Sequence, residues 1–454
     1  MVEMNRRTWL QGAAATLTLA PQAWAKAPTG WVGLQLSQGR PAPGGRRFTS
    51  ASVDALIPRI QRRIADPALA AIFENCFPNT LDTTVWPGRY EGKPDTYVVT
   101  GDIDAMWLRD SSAQLWPHLR LAREDETLRE LVEGAIRRQA RMILLDPYAN
   151  AFLRHESDPP LSWATNDKTE HHAGVGERKW EVDSLCYPIR LAHGYWQQTG
   201  DSKPFDAQWK EAAWSIVRTF RAQQRKQGLG PYSFERTSAA PTDTCALGGF
   251  GNPARPVGMI FSMFRPSDDA CIYPLFVPAN LFAVVSLRQL ARMAVEVLHD
   301  AKLATEAEAL AAEVERALEQ YGKTHHAGLG TIWAYEVDGY GNVLKMDDAN
   351  APGLLSLAYL GVCRTDDPLY RRTRAFALSE SSPYFFLARR RKVRTPASPL
   401  CRSMMRPNVF HGTNSITCAN SVLPTFMRHS RSSNPESIAN ERHAIQIVDT
   451  IKSP

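Results

Sequence analysis

The sequence predicts an all-α protein, a toroid built from helical hairpins in a single domain from about Arg46 onward. Two observations carry this prediction. Nearly every readable element between residues 52 and 380 has apolar side chains at helical spacing. The connections between those elements are long and rich in Gly, Pro, Asp and aromatics, without strand-like alternation. With 44% hydrophobic and 22% charged residues, a chain of 454 residues can bury a large core.

The N-terminus is read first, and set apart from the fold. Asn5-Arg6-Arg7-Thr8-Trp9-Leu10 precedes a modest apolar run, Gly12 to Pro21, and then the small-x-small triplet Ala23-Trp24-Ala25. Paired arginines, a weak apolar region and such a triplet fit a twin-arginine-type export signal over residues 1–25, followed by a linker over 26–45. The mature protein is therefore expected to be periplasmic or secreted, and no later segment offers the ~18 apolar residues of a membrane span.

The helices follow in order. Val53 to Ile64 carries the first pattern, and Leu128, Leu131, Val132, Ile136, Ala140 and Ile143 carry the next. Leu185 to Gln197, Ala207 to Gln224 and Ala279 to Leu298 repeat it, and Leu303, Leu310, Val314 and Leu318 mark one more. Connections this long in a compact domain are usually functional loops, so the scaffold is expected to present its chemistry on them.

Charge and cysteine content exclude two classes. The net charge of +6 comes from residues 387–454, which hold 11 Lys/Arg against 3 Asp/Glu; the preceding 386 residues hold 42 against 44. A basic excess confined to the tail gives no nucleic-acid surface. The seven cysteines (76, 186, 245, 271, 363, 401 and 418) are widely spaced with no C-x-x-C pattern. Neither a zinc site nor a disulfide framework is expected.

The connections place acids beside aromatics: Trp180-Glu181-Val182-Asp183, Phe264 to Asp269, Trp333 to Asp338, and Met346-Asp347-Asp348-Ala349-Asn350. Carboxylates can fork onto vicinal sugar hydroxyls while aromatic faces cover the apolar side of a pyranose, so this combination suits carbohydrate. Paired carboxylates also suit the acid and base of glycoside hydrolysis, although any single acid could equally cap a helix or pair with an arginine. Residues 101–120, GDIDAMWLRDSSAQLWPHLR, pose the sharpest question. Asp102, Asp104, Arg109 and Asp110 lie in a stretch apolar enough for a core, where an unpaired charge is costly.

Read together, the segments TGDIDAMWLRDSSAQ, DPYANAF, ERKWEVDSLCYPIRLA, FRPSDDACIYPLFVPANLFAV, WAYEVDGYGN and MDDANAPGLLSLAYLG, then SSPYFF, strongly resemble glycoside hydrolase family 125. They run in order from about Val99 to Phe386. The resemblance implies an (α/α)6 barrel over residues 46–386 that removes terminal α-1,6-linked mannose from mannans or N-glycans by inversion, with no cofactor and no metal. It places the general acid in the loop Arg265 to Asp269, with Asp268 favoured and Asp269 the alternative. One of two adjacent carboxylates could hold a raised pKa and stay protonated. Trp107, Arg109 and Asp110 are expected to line the terminal-sugar subsite, and Asp104, Arg265, Asp183, Asn280, Glu336 and Asp348 are further candidates for substrate binding. The expected partner is an α-mannoside oligosaccharide or glycan.

After Phe386 the resemblance lapses. Residues 387–428 hold eight Lys/Arg and no acid, while Ser432 to Ile451 again resembles the family, with Ile438, Ile445, Val448 and Ile451 on one helical side. Such a lapse over 387–431, flanked by restored pattern in 432–454, is what two compensating frameshifts would leave. The family's general base is a glutamate in a Gly-Phe-Met-His-Glu-Ser-Phe motif that this sequence does not contain. The barrel is thus expected to be incomplete at its C-terminal end and the chain's own activity uncertain. Two other readings share the residues: a glycan-binding relative without turnover, and a gluco-specific or calcium-dependent hydrolase that uses Asp347 and Asp348 as ligands.

Overall fold

The computed structural model describes residues 39–387 except Ala349, together with the backbone of Arg394–Pro396. The export signal and nearly all of the tail from 388 onward therefore lie outside the described residues. Helices form where the periodicity places them, and their starts have chemical causes. Ser50 accepts a hydrogen bond from the Val53 amide and opens α1 (Ala51–Gln61). Asp66, Asp125, Asp206, Asp300 and Asp367 do the same for α2 (Pro67–Cys76), α4 (Glu126–Leu145), α6 (Ala207–Gln223), α8 (Ala301–Tyr321) and α9 (Pro368–Ala377). Helices α2 and α9 each begin with Asp-Pro, a start signal in the sequence that its periodicity alone does not reveal.

The remaining helices, α3 (Leu108–Leu115), α5 (Val182–Thr199) and α7 (Val277–Glu296), begin without a side-chain cap. They pack side by side as an inner row, while α4, α6 and α8 form an outer row, each following its inner partner in sequence. This alternation is the (α/α)6 barrel type. The unbroken burial of Val182 to Ala192 in α5 is that of a helix covered on all sides.

Strands are where sequence and structure differ. Among the described residues, five sheets of two or three short antiparallel strands occupy connections expected to be irregular. The longest is the hairpin of β1 (Val85–Tyr90) and β2 (Lys93–Val98), turned at Glu91 and Gly92, both at positive φ. Helix α4 lies against β2 so closely that a Cβ on Gly134 would stand 2.6 Å from Thr96 Oγ1 and 2.8 Å from its amide nitrogen. The other strands matter for position: β3 (Met106–Trp107) runs directly into α3, and β6 (Leu275–Phe276) into α7. Strand β3 pairs with β4 (Ala151–Phe152), which pairs with β5 (Val175–Glu177) a few residues before α5. Strand β6 pairs with β7 (Glu336–Val337).

Cys76, Cys186, Cys245, Cys271 and Cys363 are free thiols; Cys401 and Cys418 lie outside the described residues. Among the described residues, no helix is long and apolar enough to cross a membrane.

Candidate active site

The N-termini of the three inner helices converge. The Val182 amide at the start of α5 donates to Ser262 Oγ, and the amides of Met263 and Phe264 donate to the Trp180 carbonyl, so the loop before α7 is stitched to the entry of α5. From the first turn of α3, Arg109 Nη1 reaches Glu181 Oε2 at 2.6 Å and Asp183 Oδ2 at 3.7 Å, while its Nη2 lies 3.5 Å from Asp110 Oδ2. One buried guanidinium therefore faces three carboxylates, two of which have no solvent exposure. This answers the question posed by residues 101–120: Arg109 and Asp110 belong to a charged cluster that ties α3 to α5.

That cluster has more negative charge than Arg109 can neutralise. Burial pushes the Glu181 carboxyl well above the usual range despite the pull of Arg109, and pushes Asp183 up to about 7. Neither Asp183 oxygen, nor Glu181 Oε1, has a hydrogen-bond partner among the described residues. Buried polar atoms left open in this way are rare, and they suit a ligand that brings hydroxyl groups.

Asp268 faces the same cluster from the loop before α7. Its φ of 67° is left-handed, and its amide donates to the Arg265 carbonyl at 2.9 Å. Its Oδ1 is buried and unpartnered among the described residues. Burial pushes the carboxyl up to about 6; Lys179 and Arg109 pull it back, and Glu177 and Asp110 push it further up. Asp269 points elsewhere, its Oδ1 accepting from Thr242 Oγ1 at 2.8 Å. The two neighbours are thus separated by direction, and the expected mechanism of one carboxylate raising the other is replaced by burial of Asp268 itself.

The other candidates separate clearly. Trp107, on β3, packs with Ala105 and Ala151 beside the start of α3. Asp104 lies on the rim, its side chain 66% exposed and held by Arg154 Nη2 at 3.1 Å. Asn280 does not belong to the cleft. Its amide accepts from the Ile260 N–H and donates to the carbonyls of Ile260 and Phe276, which satisfies it structurally. Glu336 accepts from Arg265 Nε at 2.5 Å and from the amides of Ile272 and Tyr273, so both residues brace the Asp268 loop. Arg265 Nη2 remains buried without a partner among the described residues. Asp348 accepts from Tyr335 Oη and the Asn350 amide, while Asp347 accepts from the amides of Leu354 and Leu355. These bonds engage the carboxylates that a calcium site would have used, and no group of three or more His, Cys, Asp or Glu among the described residues is arranged to hold a metal.

Two residues of the site were not singled out from the sequence. Glu181 was visible in the Trp-Glu-Val-Asp motif, and a buried Arg109 required an acid, but the pair is 72 residues apart. Lys179 is the second: its Nζ donates to Asp243 Oδ1 at 2.6 Å and to the Asp268 carbonyl at 3.1 Å.

A barrel of paired helices whose inner N-termini gather carboxylates around one arginine is the arrangement of the (α/α)6 glycoside hydrolases. Residues 66–403 match the family model described as metal-independent α-mannosidase, and the chain belongs to this family, glycoside hydrolase family 125. The match extends into the basic segment that begins at residue 387. The meiotically up-regulated gene 157 protein of Schizosaccharomyces pombe is 41% identical over 373 residues, which span 78% of this chain and 72% of that protein. A solved metal-independent α-mannosidase from Streptococcus pneumoniae, in a non-productive complex with α-1,6-mannobiose, is 33% identical with a TM-score of 0.75; the match covers 90% of this chain and all of that one.

Proposed function

We propose that the protein is an exported exo-α-1,6-mannosidase that acts by inversion, with Asp268 as general acid and Trp107, Arg109, Asp110 and Asp183 lining the terminal-sugar subsite. The observation that carries this reading is Asp268: a half-buried carboxyl with its Oδ1 buried and unpartnered among the described residues, pushed up to about 6, that faces the Arg109 cluster. Protonated Asp268 would donate to the glycosidic oxygen as the bond to the anomeric carbon breaks, and water would attack that carbon from the opposite face, releasing its own proton to solvent. Asp110 and Asp183 can accept from sugar hydroxyls and Arg109 can donate to them, which fixes the ring in the pocket. The α-1,6 linkage is supported by the mannobiose bound to the Streptococcus relative. Export is supported by the paired arginines and the Ala23-Trp24-Ala25 triplet.

Proton NMR of purified protein mixed with α-1,6-mannobiose tests this directly. Inversion releases β-mannose first, before mutarotation, whereas α-mannose appearing first would overturn the mechanism. Calorimetric binding of mannobiose with no release of mannose would instead make the chain a glycan-binding relative.

A further inference from the structure

We propose that Lys179 is a positioning residue for Asp268, anchoring its backbone in the left-handed conformation and placing a fixed positive charge beside its carboxylate. The inference deepens the assignment of Asp268 as general acid and rests on that reading.

The geometry is specific. Lys179 is 3% exposed, and a buried ammonium needs partners on every side. One is Asp243 Oδ1, itself 3.3 Å from Arg236 Nη1. Another is the main-chain carbonyl of Asp268. The ammonium also lies 5.1 Å from the ring centre of Phe264, at the base of the same loop. Lys179 is fixed in turn, because its amide donates to Asn150 Oδ1, whose Nδ2 donates to Glu177 Oε2. A non-glycine residue at positive φ is strained and persists only where its surroundings hold it. Here the Arg265 carbonyl holds the Asp268 amide and Lys179 holds the Asp268 carbonyl.

The charge acts through the same contact. Asp268 is surrounded by Arg109 and Asp110 from α3, Glu177 from β5, Glu181 and Asp183 at the start of α5, and Asp243 beyond Lys179. Acids outnumber cations in this shell. Burial raises the hold of the Asp268 carboxyl on its proton, and Lys179 is the foremost charge opposing that.

The test reads the Asp268 carboxyl directly, so that it does not depend on turnover. Protein carrying aspartate labelled with carbon-13 at Cγ is titrated by NMR, with Asp268 assigned by the signal lost in Asp268→Asn. Wild type is expected to titrate near pH 6. Lys179→Met should raise the midpoint by about one unit, and Lys179→Arg should restore it. An unmoved midpoint in folded Lys179→Met would overturn the proposal. Should that variant fail to fold, Lys179→Gln keeps a donor for the Asp268 carbonyl but removes the charge. A raised midpoint supports the proposal there, and an unmoved one overturns it. Mannobiose binding and hydrolysis are measured separately: if both fail while the midpoints behave as stated, the functional reading falls and the role of Lys179 stands.

Discussion

Asp268 sets opposite demands on stability and on chemistry. Its carboxyl binds a proton more tightly in the folded protein, near pH 6, than an unfolded aspartate does near 3.8. Stability from this group is therefore complete below about pH 4 and declines as pH rises through 6. Asp183, raised to about 7, adds a contribution of the same sign over a slightly wider range. Asp268→Asn is accordingly expected to lower turnover of mannobiose by about two to four orders of magnitude while adding roughly 1–2 kcal/mol at pH 8 and nothing at pH 4. Thermal melts at the two pH values check the second part. In the wild type, kcat/KM should fall as pH rises through about 6, because the acid must carry its proton. The sequence exposed these residues unevenly. Arg109, Asp110 and Asp268 stand in long motifs, so resemblance finds them. Glu181 and Lys179 stand in such a motif too, but earn their places through contacts 72 and 89 residues away, which no local pattern records. Asn280, Glu336 and Asp348 show the converse, since a residue type declares a polar group and not the partner that engages it.

Helices were legible because a period of 3.6 residues repeats over several turns, whereas a two-residue strand has no period to read. The short strands nevertheless aim the site: β3 and β6 enter α3 and α7 directly, and β4 and β5 link β3 to the approach to α5. The outer helices carry a different duty, and Gly134 on α4 shows how closely they are fitted. Gly134→Ala would force a methyl group into the backbone of Thr96, at 2.8 Å from its nitrogen, so α4 and β2 must separate. A loss of about 1–3 kcal/mol is expected, visible as a lower midpoint in urea denaturation with the cleft titrations unchanged. An equal loss at both places would mean that the hairpin and the cleft are one cooperative unit.

Across the whole molecule, two rows of helices divide labour, with polar residues gathered at the inner row's entry loops and apolar faces between the rows holding the barrel. The N-terminus bears on where that molecule works. Protein recovered from the periplasm of an expressing cell should begin at Lys26, by intact mass; a full-length product retained in the cytoplasm would remove the export reading. The clasp of Arg109 by Glu181, Asp183 and Asp110 has its own consequence. Its side chains are already set before any sugar enters, so little ordering entropy remains to be lost on binding. Such a pocket welcomes the departing monosaccharide as readily as the arriving chain end. Free mannose should therefore accumulate as a competitive inhibitor, and progress curves should bend early even while substrate remains abundant.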